Sequence, residues 1–208
     1  MDLKDIWPQK DAPLIEKAQQ FVEKYKGEKI VLKYGGQVMA NDQLTKAFAQ
    51  DAAICNLIGI KNLVIHGGGP QIKKKLEAQN IPSKFILGLR VTDENVIKIV
   101  EDVLLNEINP DLVNTINSFK ANAEAVTARN TNSILKVKEA KNPELGFVAD
   151  PEEIDIDKLN HILNDNKVPV IAPMGLGEND QVYNINADTA AGTIAIKVKA
   201  KRLLLSLI

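Results

Sequence analysis

Short apolar runs that favour β-strands alternate with helix-like segments along most of the chain. The first two strand-like runs are residues 29–33 and 62–65, and predicted helices at 42–58 and 70–79 follow them. This order favours right-handed crossovers and a mostly parallel sheet between helical layers. Both runs are apolar nearly throughout, as in strands that are covered on both faces. The sequence therefore predicts an α/β fold, a three-layer αβα sandwich with an open, mostly parallel sheet.

The pattern changes in the middle of the chain and then returns. Short β-prone pieces within residues 123–150 are separated by Asn, Pro and Gly, which predicts hairpins. The other predicted helices are 93–106, 155–164 and 187–199, and the other predicted strands are 168–172 and 181–183. The chain ends on an apolar run, residues 202–208, that is typical of a buried strand.

Composition excludes several classes of function. The 208 residues include 26 Lys+Arg and 27 Asp+Glu, a net charge of -1, and only 4% are aromatic, which disfavours a nucleic-acid partner. A lone Cys55 excludes an internal disulfide and fits a reducing cytoplasm, and two histidines are too few for a metal cage. No run approaches the roughly 18 apolar residues of a membrane span, and the N-terminus lacks the apolar core of a secretory signal. We expect a soluble, cytoplasmic protein with no metal site and no membrane partner.

Residues 13–26 have the pattern of an amphipathic helix that precedes the first strand. Leu14, Ala18 and Phe21 fall on one face, and Gly27 suits the end of the helix. The helix either covers its own sheet or buries its apolar stripe against another subunit. The sequence leaves both alternatives open.

Two glycine motifs follow the first two strands, where ligands bind in open α/β sheets. In Lys33-Tyr-Gly-Gly36 a lysine ends the strand and two glycines follow it, a pattern that by itself is better explained as a tight turn beside a solvated lysine. In His66-Gly-Gly-Gly-Pro70 three glycines open a helix, and free N–H groups at a helix N-terminus bind anions. The second motif favours an anion cradle, with His66 packed or hydrogen-bonded rather than bound to a metal.

Polar candidates follow later strands. Arg90 precedes Thr92 and Asp93, either of which can cap the next predicted helix. Arg90 suits bidentate carboxylate binding, although taken singly it is a surface arginine. Asn184, Asn186 and Asp188 stand at alternate positions between a strand and a helix. A helix cap needs one such residue, so the others are free to bind a polar substrate or to orient a lysine.

The common nucleotide and hydrolase signatures are absent from the sequence. It contains no G-x-x-x-x-G-K-[ST], no G-x-G-x-x-G after a strand and no G-x-S-x-G. What remains is two glycine turns, a lysine, an arginine and an Asn/Asp loop. That set suits an acid substrate and a transferring phosphoryl group, whose chemistry depends on positioning and charge stabilisation.

Four motifs in order and approximate spacing resemble the acetylglutamate kinases of the amino acid kinase family. They are Lys33-Tyr-Gly-Gly36, His66-Gly-Gly-Gly-Pro70, Gly88-Leu-Arg-Val-Thr92 and Tyr183-Asn-Ile-Asn-Ala-Asp188. The resemblance spans about residues 12–206, and the last two motifs separate it from aspartate, carbamate and uridylate kinases. It implies phosphorylation of the side-chain carboxylate of N-acetyl-L-glutamate, with ATP and Mg²⁺, in arginine synthesis.

The resemblance also implies a role for each candidate residue. Lys33 would stabilise the transferring phosphoryl group, and Asp188 would orient Lys33 and a second lysine. The implied substrate-binding residues are Gly67, Gly68, Gly69, Arg90, Asn184 and Asn186. The implied phosphoryl-binding residues are Gly35 and Gly36.

The resemblance divides the chain into three parts. Residues 1–27 resemble the N-terminal arm of arginine-inhibited members, which interlocks dimers into a hexamer, so a homo-oligomer and arginine feedback inhibition are expected. Residues 28–187 would form the acetylglutamate-binding lobe, within which the hairpins of 123–150 resemble a substrate lid. Residues 188–208 would begin the ATP-binding lobe.

One departure from the family concerns that last part. The family continues beyond this point with an Asp where Leu207 stands, and then with a second phosphate-binding lysine. We expect an incomplete nucleotide lobe, as in a truncated product, a fragment or a frameshifted copy, with an unpaired sheet edge and an exposed apolar face. A non-catalytic acetylglutamate-binding or oligomerising module, or another amino acid kinase specificity, is the alternative.

Overall fold

A computed structural model describes residues 20, 22–35, 38–130 and 133–206. Most of the predicted helix 13–26, Gly36 and Leu207 lie outside the described residues. Within that helix, residues 22–25 are helical, and Gly27 follows them with a φ of 79°.

The strands and helices agree with most of the predicted elements. The strands are β1 (Lys29–Tyr34), β2 (Lys61–His66), β3 (Phe85–Ile86), β4 (Leu89–Arg90), β5 (Ala123–Val126), β6 (Leu135–Glu139), β7 (Ala149–Ile154), β8 (Val168–Ile171), β9 (Met174–Leu176), β10 (Val182–Asn184) and β11 (Arg202–Leu205). The α-helices are α1 (Asp42–Leu57), α2 (Gly69–Ala78), α3 (Glu94–Glu101), α4 (Asn109–Ser118), α5 (Ile156–Asn164) and α6 (Ala187–Lys197).

The central sheet has five strands in the order β11-β1-β2-β8-β5, and every neighbouring pair is parallel. Successive side chains of a strand point to opposite faces. Val31 and Leu63 accordingly lie in one core cluster, while Leu32 and Val64 lie in another on the opposite face. Both clusters are buried, so the prediction of a mostly parallel sheet covered on both faces is confirmed.

Helices cover each face of this sheet. The cluster around Val31 includes residues of α5 and α6, and the cluster around Leu32 includes residues of α1 and α4. Leu63 is fully buried, and its replacement by Ala would cost about 2–5 kcal/mol of stability through lost apolar contact and an unfilled cavity. These layers form the predicted αβα arrangement.

The middle of the chain supplies a second, smaller sheet. Its order is β10-β9-β6-β7, and β6 and β7 form an antiparallel pair. This agrees with the hairpins predicted for residues 123–150 in type but not in bounds, because β7 extends to Ile154. β5, from the same stretch, instead pairs with β8 at the edge of the central sheet. The predicted strand 181–183 belongs to the second sheet as β10.

One long helical segment runs from Glu94 to Ser118, beyond the predicted end at 106, and it widens in the middle. Residues Asp102–Ile108 form a π-helical turn between α3 and α4. The backbone N–H of Asn109 donates to the carbonyl of Leu104, five residues earlier. Pro110 lacks an N–H, and its ring would clash with the carbonyl four residues back in a regular helix, which explains why the extra residue is accommodated here.

The last strand, β11, is where the prediction of a buried strand is wrong. β11 pairs with β1 at the edge of the sheet, but Leu203, Leu204 and Leu205 are 37%, 52% and 45% exposed. An edge strand is covered only where neighbouring elements pack on it. In the described part of the chain this region therefore has the apolar, uncovered surface that the sequence led us to expect for an incomplete lobe.

Candidate active site

The carboxyl ends of β1 and β2 meet at one point of the sheet. The register pairs Lys33 with Ile65 and Tyr34 with His66. The backbone N–H of Gly67 donates to the carbonyl of Tyr34 at 2.9 Å. Parallel pairing thus brings the lysine that ends β1 beside the glycine turn that follows β2.

A cavity of about 270 Å³ at this edge brings together eight of the predicted site residues. Those that line it are Lys33, Gly67, Gly68, Gly69, Arg90, Asn184, Asn186 and Asp188. Gly35 does not line the cavity, but a Cβ built on it would lie 3.7 Å from Lys33 Nζ and 2.3 Å from the carbonyl oxygen of Ser206. Gly36 lies outside the described residues.

Lys33 pairs with a carboxylate that also lines the cavity. The residue is only 9% exposed, and its Nζ lies 2.9 Å from Asp188 Oδ1. Asp188 is in the first turn of α6, where the helix dipole favours negative charge. The solvated lysine that the sequence favoured for this motif is therefore wrong, because parallel pairing and α6 enclose the side chain.

The three polar residues around the start of α6 differ in whether they cap the helix. Asn186 is the helix cap, since its Oδ1 accepts from the N–H groups of Asp188 at 2.9 Å and Thr189 at 3.0 Å. Asn184 makes no part of that cap, and its amide donates to Thr92 Oγ1 at 3.3 Å. One residue caps the helix, and the other two are left to contact a ligand or a lysine.

The triple-glycine turn is not explained by backbone conformation. Gly68 has a φ of 177°, which any residue adopts, and neither Gly67 nor Gly69 has a positive φ. A Cβ on Gly68 would lie 2.5 Å from Leu104 Cδ2, whereas a Cβ on Gly69 would meet nothing within 4 Å. Gly68 is the N-cap of α2 without a side-chain bond, so the first-turn N–H groups keep their capacity for an anion.

Arg90 reaches the cavity from a short hairpin, β3–β4. Its guanidinium lies 4.7 Å from the ring centre of Phe85 and donates to the Ser83 hydroxyl and, at 3.2 Å, to the carbonyl of Gly69. The residue is 8% exposed, and burial lowers the pKa of the guanidinium, which still stays charged at neutral pH. The sequence, taken at this residue alone, predicted a surface arginine, and that prediction is wrong because Arg90 is buried.

The hairpin that lies over the cavity is β3–β4, so the lid that the sequence placed at 123–150 is wrong. The turn residues Leu87 and Gly88 both have positive φ, as a two-residue hairpin turn requires, and Leu87 is 98% exposed. Among the described residues of 123–150, Val148 alone lines the cavity. Strands β6 and β7 instead contribute Leu135, Val137 and Ala149 to the core, where packing holds them in place.

A segment that the sequence reasoning missed joins the Arg90 loop to the Asn184 strand. The N–H of Phe147 donates to the Thr92 carbonyl at 2.7 Å, and the N–H of Asn184 donates to the Phe147 carbonyl at 2.9 Å. Gly146 has a φ of 66°, and a Cβ there would lie 2.4 Å from the Thr92 carbonyl oxygen. The sequence signals for the segment were this glycine and the β-prone character of residues 146–148, and neither shows the contacts, because they join residues far apart in the chain.

His66 is fully buried under the glycine turn. Its Nδ1 lies 2.8 Å from the Gly67 carbonyl oxygen, and burial lowers its pKa to about 4, so the ring is neutral at pH 7. This agrees with the interpretation of His66 as a packed, hydrogen-bonded residue. No group of three or more His, Cys, Asp or Glu side chains that could hold a metal occurs among the described residues.

Taken together, the cavity has two buried cations, backbone N–H donors and a carboxamide around one space. Such donors bind anions and stabilise charge that develops during group transfer. A carboxylic acid held by Arg90, with its reacting oxygen near Lys33, would be positioned for phosphoryl transfer.

Comparison with known proteins agrees with this chemistry. Residues 28–206 match the model of the amino acid kinase family. The acetylglutamate kinase of Pelagibacter ubique is 45% identical over 204 residues, which are 98% of this chain and 69% of that protein. The acetylglutamate kinase of Thermoanaerobacter pseudethanolicus is 39% identical over 194 residues, 93% of this chain and 65% of that protein.

Solved structures share the fold at lower identity. N-acetylglutamate synthase from Neisseria gonorrhoeae, complexed with coenzyme A and N-acetyl-glutamate, has a TM-score of 0.80 at 18% identity, covering 91% of this chain and 44% of that one. Carbamate kinase from Giardia lamblia bound to AMP-PNP has a TM-score of 0.60 at 16% identity, covering 87% of this chain and 71% of that one. By the family model and the two relatives, the chain belongs to the amino acid kinase family and, within it, to the acetylglutamate kinases.

Proposed function

We propose that the cavity binds N-acetyl-L-glutamate and that the chain acts in the ATP-dependent phosphorylation of its side-chain carboxylate. The observation that supports this most is the convergence of Lys33, the triple-glycine turn and Arg90 on one cavity. The three come from different strand ends, and a shared anionic ligand explains why they line one cavity. The family relationship adds the identity of the acid.

Recognition of the substrate falls to Arg90 and Asn184. Arg90 offers a planar fork of donors that matches a carboxylate, and Phe85 and Ser83 hold that fork in place. Asn184 offers one donor and one acceptor, which suits an amide or a second carboxylate. Gly67, Gly68 and Gly69 would supply backbone N–H groups to the bound acid.

Transfer of the phosphoryl group falls to Lys33. Its ammonium would approach the oxygens of the transferring group and offset the charge that develops there, with Asp188 fixing its direction at 2.9 Å. Gly35, next to Lys33 Nζ, lets the backbone come close to the same group. No covalent intermediate is required, because in-line transfer depends mainly on position and charge.

ATP is the phosphoryl donor implied by the family, and Mg²⁺ would enter with its phosphates. Asp188 is the only carboxylate that lines the cavity, among the described residues, and it is paired with Lys33. The metal, when bound, would neutralise phosphate charge. Lys33, Gly35 and Asp188 would align the γ-phosphoryl group against the substrate oxygen.

The remaining implications of the family stay predictions. They are the three-part division at residues 27 and 187, a homo-oligomer built through the N-terminal arm, arginine feedback inhibition and a cytoplasmic location. No helix among the described residues has the length and apolar character to cross a membrane. The oligomeric state is to be tested in solution.

The experiment measures binding and turnover separately, because the chain spans 69% and 65% of the lengths of the two relatives. Calorimetric titration of the 208-residue chain with N-acetyl-L-glutamate should give saturable binding, and glutamate or aspartate should bind weakly. A coupled assay with Mg-ATP should release ADP only in the presence of N-acetyl-L-glutamate. ADP release with glutamate or aspartate, and none with N-acetyl-L-glutamate, would contradict the proposal.

Binding without ADP release would favour the second candidate, a non-catalytic acetylglutamate-binding module. The exposed leucines of β11 are the observation behind it, since they leave that edge of the described sheet uncovered. The two candidates share the acid site and differ only in turnover.

A further inference from the structure

We infer that Asn109 is a positioning residue for the glycine turn: through His66, its amide holds the Gly67–Gly68 peptide so that the Gly68 N–H faces the cavity. The inference rests on the proposed function for the identity of the ligand. Asn109 lines no part of the cavity and was not singled out by the sequence. It would act on the ligand only through His66 and the backbone.

A chain of hydrogen bonds leads from Asn109 to the turn. Asn109 is fully buried, and its Nδ2 lies 3.1 Å from His66 Nε2 and 2.9 Å from the Val170 carbonyl oxygen. His66 Nδ1 lies 2.8 Å from the carbonyl oxygen of Gly67. The three bonds form a continuous chain from β8 through Asn109 of α4 and His66 of β2 to the glycine turn.

The chemistry of the partners fixes the direction of every bond. A carbonyl oxygen only accepts, so His66 must carry its proton on Nδ1 and donate to Gly67. The neutral ring then accepts on Nε2, and Asn109 must present Nδ2 rather than Oδ1. The Val170 carbonyl requires the same orientation of the amide, so two independent acceptors agree on it.

The orientation of the Gly67 carbonyl decides where the next N–H points. A trans peptide is planar, and its C=O and N–H point in opposite directions. Because the Gly67 carbonyl faces the buried His66, the Gly68 N–H is turned the other way, toward the side on which Gly67, Gly68 and Gly69 line the cavity. A glycine turn without this bond could rotate that peptide at little cost.

The π-helical turn places Asn109 under His66. One row of buried residues along the helical segment has a spacing of four, at 96, 100, 104, 108, 112 and 116, and other buried residues lie beside it. A regular helix of 3.6 residues per turn would move such a row steadily around its axis, and the wider turn at Asp102–Ile108 compensates. Asn109, which follows Ile108 of this row, therefore lies on the face of the helical segment that packs on the sheet, where it contacts His66.

A buried amide that merely fills space is the alternative, and the chain contains a matched example. Asn62 is also buried on β2, its Nδ2 donates to the Ala52 carbonyl at 3.0 Å, and its Oδ1 finds no partner among the described residues. Asn109 Oδ1 likewise finds none. The two differ in that only Asn109 contacts His66, so Asn62→Leu is the control for Asn109→Leu.

The test uses the whole chain, labelled with ¹⁵N on histidine and on the backbone. In the parent, Nδ1 of His66 should show the resonance of a protonated nitrogen and Nε2 that of an unprotonated one. Asn109→Leu should move the Nε2 resonance and the Gly68 amide, and should weaken binding of N-acetyl-L-glutamate at least fivefold by calorimetry. Asn62→Leu should lower the melting temperature comparably while leaving these three readouts unchanged.

The proposal is overturned if Asn109→Leu leaves the Gly68 amide in place and binds within twofold of the parent, or if Asn62→Leu has the same effects. Should Asn109→Leu fail to fold, the isosteric Asn109→Asp replaces the amide by a carboxyl group, which either accepts from a protonated His66 Nε2 or, if neutral, donates to it. Either way the Nε2 resonance must move, and an unchanged Nε2 resonance in that variant would equally contradict the proposal. If the parent binds no N-acetyl-L-glutamate, the proposed function fails, while the two spectroscopic readouts still decide the role of Asn109.

Discussion

The two ends of the central strands carry similar residues in different surroundings. At the amino ends, Lys29 and Lys61 donate to Asn160 and Asn164 at 2.7 and 2.8 Å, and both lysines remain partly exposed. At the carboxyl end, Lys33 is 9% exposed and pairs with a carboxylate. Lysine at a strand end is therefore not enough to mark a site, whereas a buried, oriented lysine beside a cavity is.

The glycines differ between the two ends as well. Gly27 and Gly59, which precede β1 and β2, have φ values of 79° and 84°, so the backbone itself requires glycine there. Gly68 and Gly69, at the other end of β2, have no positive φ. The amino-end glycines are required by the backbone conformation of their turns. At the carboxyl end, Gly68 leaves room for the side chain of Leu104, and Gly69 faces open space.

The largest expected difference between the ends is in phosphoryl transfer. Lys33→Met removes the one lysine that lines the cavity within the described residues, so the rate of N-acetyl-L-glutamate-dependent ADP release should fall by about 10²–10³-fold. Lys29→Met, at the other end of the same strand, should leave the rate within about twofold. Equal losses in the two variants would show that the site is not at the carboxyl edge.

Arginines stacked on aromatic rings give the next comparison. Arg90 lies 4.7 Å from the ring centre of Phe85, and the exposed Arg202, at the amino end of β11, lies 5.8 Å from that of Tyr25. Arg90→Ala should weaken N-acetyl-L-glutamate binding by about 10–100-fold, since a charged hydrogen bond contributes about 1.5–3 kcal/mol. Arg202→Ala should leave the calorimetric affinity unchanged, and a loss there would move the binding surface to the wrong edge.

The buried His66 should make the stability of the chain depend on pH. His66 has a pKa of about 4 when folded and 6.5 when unfolded, so the unfolded chain binds the proton more readily below pH 6.5. The contribution of His66 to the free energy of unfolding is therefore fully present above that pH. It falls by about 2 kcal/mol between pH 8 and pH 5 and levels off below pH 4. Urea unfolding at each pH measures this slope.

Carboxylates also make the free energy of unfolding depend on pH, so a variant at the other histidine serves as the control for His66. His161, on the helix whose Asn160 and Asn164 accept from the amino-end lysines, has a side chain that is 79% exposed. His161→Gln should keep the acid slope, and His66→Asn should lose most of it. A slope that follows His161 instead would mean that His66 is not buried as neutral imidazole.

The sequence predicted the parts of this picture that depend on local pattern. The runs 29–33 and 62–65 became β1 and β2, and ligands of parallel sheets bind where such strands end. Lys33, the triple glycine and Asp188 could be placed near one another for that reason. Local pattern did not show how deeply Lys33 is buried, because that depends on α6 closing over it from more than 150 positions later in the chain.

What the sequence did not predict depends on contacts between distant residues. Asn109 contacts His66 just after a π-helical turn, and a search for a period of 3.6 residues does not detect the one extra residue of such a turn. The lid was misplaced to 123–150 because short β-prone pieces look alike whether they pack in a core or cover a cavity. The hairpin that does lie over the cavity contains only two residues in each strand.

The smallest effect tests the contrast between the glycines directly. A Cβ on Gly69 meets no atom of the described chain and needs no unusual φ, so Gly69→Ala should raise the free energy of unfolding by about 0.4–1 kcal/mol by restricting the unfolded chain. The same methyl group would stand in the cavity, so the affinity for N-acetyl-L-glutamate should fall by about tenfold.

At the amino end, Gly27→Ala should do the reverse: it should lower stability by about 1–2 kcal/mol, because an L-residue is strained at its φ of 79°, and leave affinity unchanged. Urea unfolding and calorimetry on both variants measure the two effects, and unimpaired binding in Gly69→Ala would mean that no ligand approaches this turn.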